Sequence, residues 1–485
     1  MPDKIKVLYV ASEAKPFIKS GGLADVAGSL PKELRRRGAD VRLVIPKYKN
    51  INEKFLVNSE YVNTLDISLG WRRQKADVYR IASDEMTTYL IGSDYYFGRD
   101  GLYGYGDDHE KFAFFTKAAI ECLMAVEFAP DIIHFNDWQT GLGCVYLKDI
   151  YRKFLLYKNV RTLYTIHNLQ YQGVFPKDIL ESVDINGGYF VGDKLEFYGA
   201  VSFMKAGLTY ADAINAVSPT YALEIQSPFF GYRLDGMLRS RKDSLYGILN
   251  GIDETENNPE TDKRIRANYD AKDIKKGDFT GKTANKTSLQ RELGLPVRED
   301  VPIISVISRL VDQKGMNILL EAMDGLLGMD VQLVILGTGD WNYEQALKTL
   351  AWRRPDKLSV NTMFNEDLSY RIYAASDMFL MPSLFEPCGL GQMIAMRYGA
   401  IPVVRKTGGL SDTVKHYDSH TRKGNGFVFE DYLASGILWA VGEALKYYHD
   451  KNEWKNIVSN AMTSDFSWRA SADKYMELYK KLKES

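Results

Sequence analysis

Only three of the 485 residues are cysteine (Cys122, Cys144 and Cys388), and they are too widely spread for a C-x-x-C pair. That scarcity argues against a disulfide framework and a zinc ribbon, and it fits a reducing cytoplasm. Long uncharged apolar runs are missing, so no membrane-crossing helix is expected. The opening Met-Pro-Asp-Lys-Ile-Lys leads into Val7–Ala11, an apolar run too short for a secretory signal. Charge of one sign is missing as well: 62 Lys and Arg stand against 63 Asp and Glu, for a net charge of −1. Such a balance exerts no global pull on anions, so neither nucleic acid nor a membrane surface is an expected partner. Four catalytic signatures are also absent: G-x-x-x-x-G-K-[ST], H-E-x-x-H, G-x-S-x-G and a complete G-x-G-x-x-G. Their absence leaves a Walker-type ATPase, a zinc hydrolase, a serine hydrolase and an NAD-dependent oxidoreductase without support.

What is present is ordinary globular composition, with 45% apolar and 26% charged residues. The length exceeds what one core organises, so two or three domains are expected. Lys6–Ala11 reads as a buried strand, followed by a loop and then Val26, Leu30 and Leu34 at helical spacing. Val41–Ile45, Asp131–Phe135 and Arg161–Ile166 continue the strand series. Alternation of strand and helix predicts a doubly wound parallel sheet, with ligands at the carboxyl ends of the strands. The pattern restarts at Ile303–Ile307 and runs through Gln332–Leu336, Met378–Met381 and Ile401–Val404. One loop occurs twice: Lys-[Ser/Thr]-Gly-Gly-Leu-x-Asp stands at 19–25 and again at 406–412. Each copy follows a strand and precedes a helix, which points to two similar Rossmann-like domains. The polar stretch Glu254–Gln290 reads as a linker or surface excursion, and its composition is compatible with disorder. Trp468–Leu482 carries Ala472, Tyr475, Met476, Tyr479 and Leu482 on one helical face, which must pack on a partner surface.

Several loops carry residue types suited to chemistry. Lys19-Ser20-Gly21-Gly22 can cradle a phosphate or oxyanion with backbone N–H groups, or be a tight turn with a solvated lysine. Arg309 and Lys314 can converge on a diphosphate, or stay two solvated loop cations. Gly337-Thr338-Gly339-Asp340 lacks the third glycine of a dinucleotide fingerprint. Ser383-Leu384-Phe385-Glu386-Pro387-Cys388-Gly389-Leu390 places a carboxylate in a tight turn where it can accept sugar hydroxyls or serve as an ion-paired cap. His134 sits inside an apolar strand and reads as a core histidine. Asp137 and His167 stand at two strand ends that can face one crevice. No spacing of metal ligands is present, and no metal site is expected. Tyr95-Tyr96-Phe97-Gly98 and Gly101-Leu102-Tyr103-Gly104-Tyr105-Gly106 form an aromatic, glycine-rich loop, with Tyr95 and Tyr103 among its rings, which is either a stacking surface for sugar rings or an ordinary loop.

These stretches resemble the bacterial glycogen (starch) synthases of glycosyltransferase family 5. The matching segments are 11–26, His134-x-Asn136-Asp137-Trp138-Gln139-Thr140, Thr165-Ile166-His167-Asn168-Leu169, Asn250-Gly251-Ile252-Asp253, Ser308-Arg309-Leu310-x-x-Gln313-Lys314-Gly315, Glu386-Pro387-Cys388-Gly389-Leu390 and 406–412. They occur in family order over nearly the whole chain. The resemblance implies a GT-B fold: a first Rossmann-like domain over 1–243, a second over 244–462, a deep cleft between them, and a final helix, 463–485, returning to the first. It implies retaining transfer of glucose from ADP-glucose to the non-reducing end of an α-1,4-glucan, glycogen or a maltooligosaccharide, with no cofactor and no metal ion. By position, Arg309 and Lys314 would bind the diphosphate and Glu386 the donor glucose, with His167 and Asp137 at the sugar and acceptor side. Lys19, Gly21, Gly22, Asn250, Gly339, Phe364 (stacked on the base), Cys388, Gly389 and Leu390 would complete the donor site. Tyr95, Tyr103 and Trp138 would serve the acceptor.

Three positions depart from common patterns. Ile394 stands where many retaining relatives carry a ribose-binding Glu, as expected for a synthase of this family. Gly391 replaces a frequent Thr, and Asn257 a frequent Trp. Other readings are a related transferase using UDP-glucose or a different acceptor, and a catalytically silent glucan-binding protein.

Overall fold

The computed structural model describes residues 4–485. Met1–Asp3, the start of the segment read for a signal, lie outside the described residues. The chain folds into two compact units, one running up to Gly251 and joined by Trp468–Ser485, the other Ile252–Ser467.

The strands, in chain order, are β1 (Lys6–Val10), β2 (Asp40–Pro46), β3 (Glu60–Leu69), β4 (Arg72–Ala82), β5 (Thr87–Gly92), β6 (Ile132–Asn136), β7 (Arg161–Ile166), β8 (Val174–Pro176), β9 (Glu196–Phe197), β10 (Ala200–Ser202), β11 (Ala213–Ala216) and β12 (Leu245–Gly247) in the first unit. The second unit holds β13 (Ile303–Ile307), β14 (Gln332–Leu336), β15 (Leu358–Asn361), β16 (Met378–Met381), β17 (Ile401–Arg405) and β18 (Phe427–Phe429).

In the first unit one large sheet runs β12-β11-β7-β6-β1-β2-β5-β4-β3. Its strands pair in parallel from β12 to β5, and β4 and β3 then add an antiparallel edge. Strands β1 and β6 are buried almost throughout, which is why they read as short continuous apolar runs. The order reverses between β1 and β6, and the loops leaving these two strands therefore flank a switch-point crevice. Those loops carry Glu13 and Lys19 after β1 and Asp137 after β6. The final helix, Trp468–Glu484, buries Trp468, Ala472, Tyr475, Leu478, Tyr479 and Leu482 in the core of the first unit, with Met476 packed against that cluster. This settles which surface the apolar face covers.

The sheet of the second unit runs β15-β14-β13-β16-β17-β18, all parallel. Numbered within the unit this is 3-2-1-4-5-6, the doubly wound order of dinucleotide-binding folds. Its reversal lies between β13 and β16, whose loops carry Arg309 with Lys314, and Glu386.

Two expectations are corrected. The first unit extends to Gly251 rather than to residue 243, because β12 pairs with β11 and completes the first sheet. At the other end residues 463–467 stay with the second unit, where the Ile252 N–H donates to the Phe466 carbonyl (2.8 Å). Glu254–Gln290 is no loose linker. It contains the helix Ala271–Lys276 and most of Thr280–Glu292. Its polar residues are structural: buried Lys282 donates to the carbonyls of Ala374 (3.2 Å) and Tyr398 (3.0 Å), and Lys286 pairs with Asp377 (2.9 Å). Hydrophobic periodicity cannot see a segment anchored this way. The three cysteines are free and buried. Among the described residues no helix is long and apolar enough to cross a membrane.

Candidate active site

In the first unit, chain leaving β1 turns through Glu13 and reaches the Lys19-Ser20-Gly21-Gly22 loop, which opens the helix Gly22–Arg36. Glu13 is buried, and its carboxylate accepts a hydrogen bond from the Ser20 backbone N–H. Burial raises its pKa to about 7, against the pull of the Ser20 and Gly21 donors. The carboxylate thus holds the glycine loop from beneath, a role that sequence inspection did not assign. The Lys19 ammonium pairs with Asp25 in the same motif (2.9 Å).

Asp137 follows β6 with φ 58°, a left-handed backbone that a non-glycine residue adopts at a cost. Its N–H donates to the Thr165 carbonyl (2.9 Å), which ties it to β7. The carboxyl is buried and its Oδ1 has no hydrogen-bond partner among the described residues. Burial raises its pKa to about 8, although backbone N–H groups of Asn168, His167 and Trp138 pull the other way. His167 ends β7 and shares a 3.0 Å hydrogen bond between its Nε2 and Asn136 Oδ1, which also accepts from the Tyr9 hydroxyl (3.0 Å). Burial lowers the His167 pKa to about 3, so the ring is neutral. Asp137 and His167 are therefore neighbours, as their strand-end positions suggested. His134 is held in the core by the hydroxyls of Tyr479 (2.8 Å) and Thr165 (2.7 Å).

The aromatic residues divide. Trp138 lines a groove of about 580 Å³ together with Tyr105, Tyr171 and Phe175. Gly173, at φ 57°, lets the backbone lie flat on the indole, where a Cβ would come within 2.3 Å of the ring. Tyr103 does not line this groove. Its hydroxyl shares a hydrogen bond with Ser12 (2.9 Å) next to Glu13, which makes it part of the loop support instead of a stacking face. Tyr95 is exposed and packs edge-on against Tyr96, also outside the groove. Asn250 is buried at the end of this unit, and its Oδ1 has no partner among the described residues.

In the second unit, Lys314 Nζ lies 2.6 Å from Glu386 Oε2, which also accepts from the Ser383 hydroxyl (3.1 Å). Arg309 donates to Gln313 (3.2 Å) in the same loop. Gly315, at φ 76°, is required here because a Cβ would fall 2.1 Å from the Pro382 carbonyl. That close approach packs the Lys314 loop onto the loop leaving β16. Gly339 abuts Leu310 in the same manner, with 2.3 Å to its carbonyl for an added Cβ. Gly389, at φ 71°, turns the chain at Cys388-Gly389-Leu390, and Gln392 Nε2 donates to the carbonyls of Cys388 (3.1 Å) and Gly389 (2.9 Å). Phe364, beyond β15, is 80% exposed, an unpartnered ring at the same end of the sheet. Asn257 accepts from the Tyr370 hydroxyl (3.1 Å), so a hydrogen bond fills the place of the frequent Trp. Ile394 is half-buried, and a side chain at Gly391 would crowd the Phe379 ring at 3.2 Å. Among the described residues no group of three or more His, Cys, Asp or Glu is placed to hold a metal ion.

In the first unit the strand ends gather a buried carboxyl and a neutral imidazole, groups that suit sugar hydroxyls; in the second they gather cations and a carboxylate, groups that suit a diphosphate. Comparison with known proteins identifies the substrate class. Residues 6–240 match the family described as starch synthase catalytic domain, and residues 292–461 match glycosyl transferases group 1. The chain is 50% identical over 479 residues to a glycogen synthase of Desulforamulus reducens, covering 99% of both chains. It is 48% identical over 481 residues to one of Bacillus cereus, covering 99% of this chain and 100% of that one. The chain belongs to the glycogen synthase family.

As a glycogen synthase family member it is a glucosyltransferase of glycogen synthesis with a nucleotide-sugar donor and a glucan acceptor. Among solved structures it matches the catalytic domain of Starch Synthase IV from Arabidopsis thaliana bound to ADP and acarbose, with a TM-score of 0.93 at 33% identity over the full length of both chains. A sucrose-phosphate synthase from Thermosynechococcus elongatus matches with a TM-score of 0.60 at 18% identity over 99% of both, a likeness of fold alone. The glycogen synthase fold is thus GT-B, two Rossmann-like α/β domains.

Proposed function

We propose that the chain transfers glucose from ADP-glucose to the non-reducing end of an α-1,4-glucan with retention at the anomeric carbon, in the cytoplasm. The observation that carries the reading is the Lys314–Glu386 pair, set with Arg309 on the two loops that flank the switch point of the second sheet. A departing nucleoside diphosphate develops negative charge, and preorganised cations there lower the barrier. In this reading Arg309 forks onto the diphosphate and Lys314 adds a point charge. Glu386 fixes Lys314 and accepts hydroxyls of the donor glucose. Phe364 offers its exposed face to the base, and the Cys388-Gly389-Leu390 turn offers backbone groups. Gly339 leaves room beside Leu310, and Asn250 directs its unpartnered oxygen to the ligand. Lys19, Gly21 and Gly22, in the first unit, offer a cation and backbone N–H groups suited to a donor phosphate. No metal ion or cofactor enters the proposal, since the cations of the chain meet the charge.

On the sugar side, His167 is a neutral hydrogen-bonding ring. Asp137, at a pKa of about 8, is mostly protonated at neutral pH and is a poor nucleophile. That favours a front-face displacement, in which the acceptor hydroxyl passes its proton to the departing phosphate oxygen as the new glycosidic bond forms. The groove at Trp138, Tyr105, Tyr171 and Phe175 supplies aromatic faces for the acceptor. ADP as the nucleotide is supported by the ligand of the Arabidopsis protein. Purified chain should release ADP from ADP-glucose in the presence of glycogen and use UDP-glucose far more slowly. Equal or faster use of UDP-glucose overturns the donor assignment.

A further inference from the structure

The acceptor groove does not end at its aromatic wall. Phe197 and Arg233, at its edge, also line a second cavity of about 530 Å³. Into that cavity face Tyr198, Asp193, Glu196 and Ser240. Tyr198 is 70% exposed. It sits at the tip of the hairpin joining β9 to β10, where Phe197 pairs with Ala200. Both loop residues, Tyr198 (φ 51°) and Gly199 (φ 84°), are left-handed, as a two-residue type I′ turn requires. Asn, Asp or Gly suits the first position of such a turn, and a tyrosine there costs backbone energy. Facing it, Tyr232 (φ 47°) and Arg233 (φ 69°) are left-handed too. The Arg233 guanidinium lies over the Tyr198 ring at 4.8 Å. The hairpin is anchored from below, with Lys205 donating to the Gly192 carbonyl (2.7 Å) and to that of Glu196. Three strained non-glycine residues thus hold one aromatic face and one guanidinium open to solvent at the rim of the groove. Packing explains little of that cost, because the ring is exposed. Strain of this kind, beside an exposed ring and guanidinium at a groove, is the observation the proposal starts from.

We propose that the Tyr198–Arg233 cavity is a distal subsite for the acceptor, taking glucose units of an α-glucan beyond those held at Trp138. The ring face suits the C–H face of a glucose unit, and Arg233, Asp193 and Glu196 suit its hydroxyls. The inference rests on the acceptor reading of the neighbouring groove. Initial rates of the purified full chain with ADP-glucose, against maltotriose and maltoheptaose, test it. Tyr198→Ala should raise KM for maltoheptaose about fivefold, a typical loss for one stacked anchor, and raise KM for maltotriose less than about twofold. Tyr198→Asn guards against misfolding. Asn suits the I′ turn, so this variant should melt at or above the wild-type temperature and still lose affinity for the longer chain. Unchanged maltoheptaose KM in Tyr198→Asn overturns the distal subsite. Wild-type protein that elongates neither acceptor overturns the acceptor reading itself.

Discussion

The two copies of Lys-[Ser/Thr]-Gly-Gly-Leu-x-Asp do different physical work. In the copy at 406–412 the glycines are demanded by the fold. Gly408 has φ 42°, and a Cβ on Gly409 would lie 2.1 Å from the Cys388 carbonyl. The Gly409 N–H donates to the Glu386 carbonyl (3.0 Å), so this copy braces the Glu386 turn. Its lysine pairs outside the motif, with Glu430 (2.7 Å). In the copy at 19–25 a Cβ on Gly22 meets nothing within 4 Å, and one on Gly21 meets only Glu13 Oε1 at 3.8 Å. The fold does not require these two glycines. The proposed close approach of the donor to the backbone would account for them. Repetition in sequence therefore signals a shared fold position, and the local contacts decide whether it serves packing or binding.

The largest expected effect lies in the turn that the second copy braces. Lys314→Ala or Glu386→Ala should lower kcat by ~10²–10³. Lys314→Ala should also lower Tm, because it leaves a buried carboxylate with Ser383 as its remaining side-chain partner. Thermal melts beside steady-state rates measure both effects.

Next in size is the glycine contrast. Gly409→Ala should cost about 1–3 kcal/mol of stability from overpacking. Gly22→Ala should stay within about 0.5 kcal/mol and raise the donor KM about tenfold. Comparable stability losses in denaturant titrations of the two variants would break the contrast. The lysines should divide the same way. Lys19→Ala is expected to lower kcat/KM for the donor by about 10²-fold, with a stability change under about 1 kcal/mol from its exposed pair. Lys406→Ala should alter kcat/KM less than about threefold, since its ion pair is exposed.

A separate effect is on pH dependence. Glu13 moves from 4.5 to about 7 and Asp137 from 3.8 to about 8, each because burial penalises the charged form. Both carboxyls bind their protons more tightly when folded. Their contribution to stability is therefore complete below about pH 4 and is lost as pH rises to about 8. Tm of the wild type should fall across this window more than that of Glu13→Gln or Asp137→Asn, and melts at half-unit pH steps measure the difference.

Much of the fold was legible because the second sheet and the β12-to-β5 part of the first are parallel, and their central strands are buried, so β1, β6, β13 and β16 read as short apolar runs. The strand ends were legible for the same reason, which placed Asp137, His167, Arg309, Lys314 and Glu386. Glu13 escaped notice as a loop support because a carboxylate gains that role only from burial and from the Ser20 N–H above it. Tyr105 belongs to the aromatic loop read as a stacking surface, whereas Tyr171 and Phe175 were missed because the groove's residues come from separate segments. The phrase Gln170-Tyr171-Gln172-Gly173, directly after the His167 loop, was the available signal. Composition marks the aromatic loop without showing which of its rings, Tyr95, Tyr103 or Tyr105, lines the groove. The segment 254–290 read as a linker or surface excursion because its anchors are lysines and asparagines.

The most direct test is ADP release measured at saturating ADP-glucose and glycogen, for wild type and Lys314→Ala side by side. If the Lys314–Glu386 pair meets the charge of the departing diphosphate, wild type turns over and the variant is slower by ~10²–10³. Near-normal turnover of the variant, or no ADP release from wild type, would contradict it.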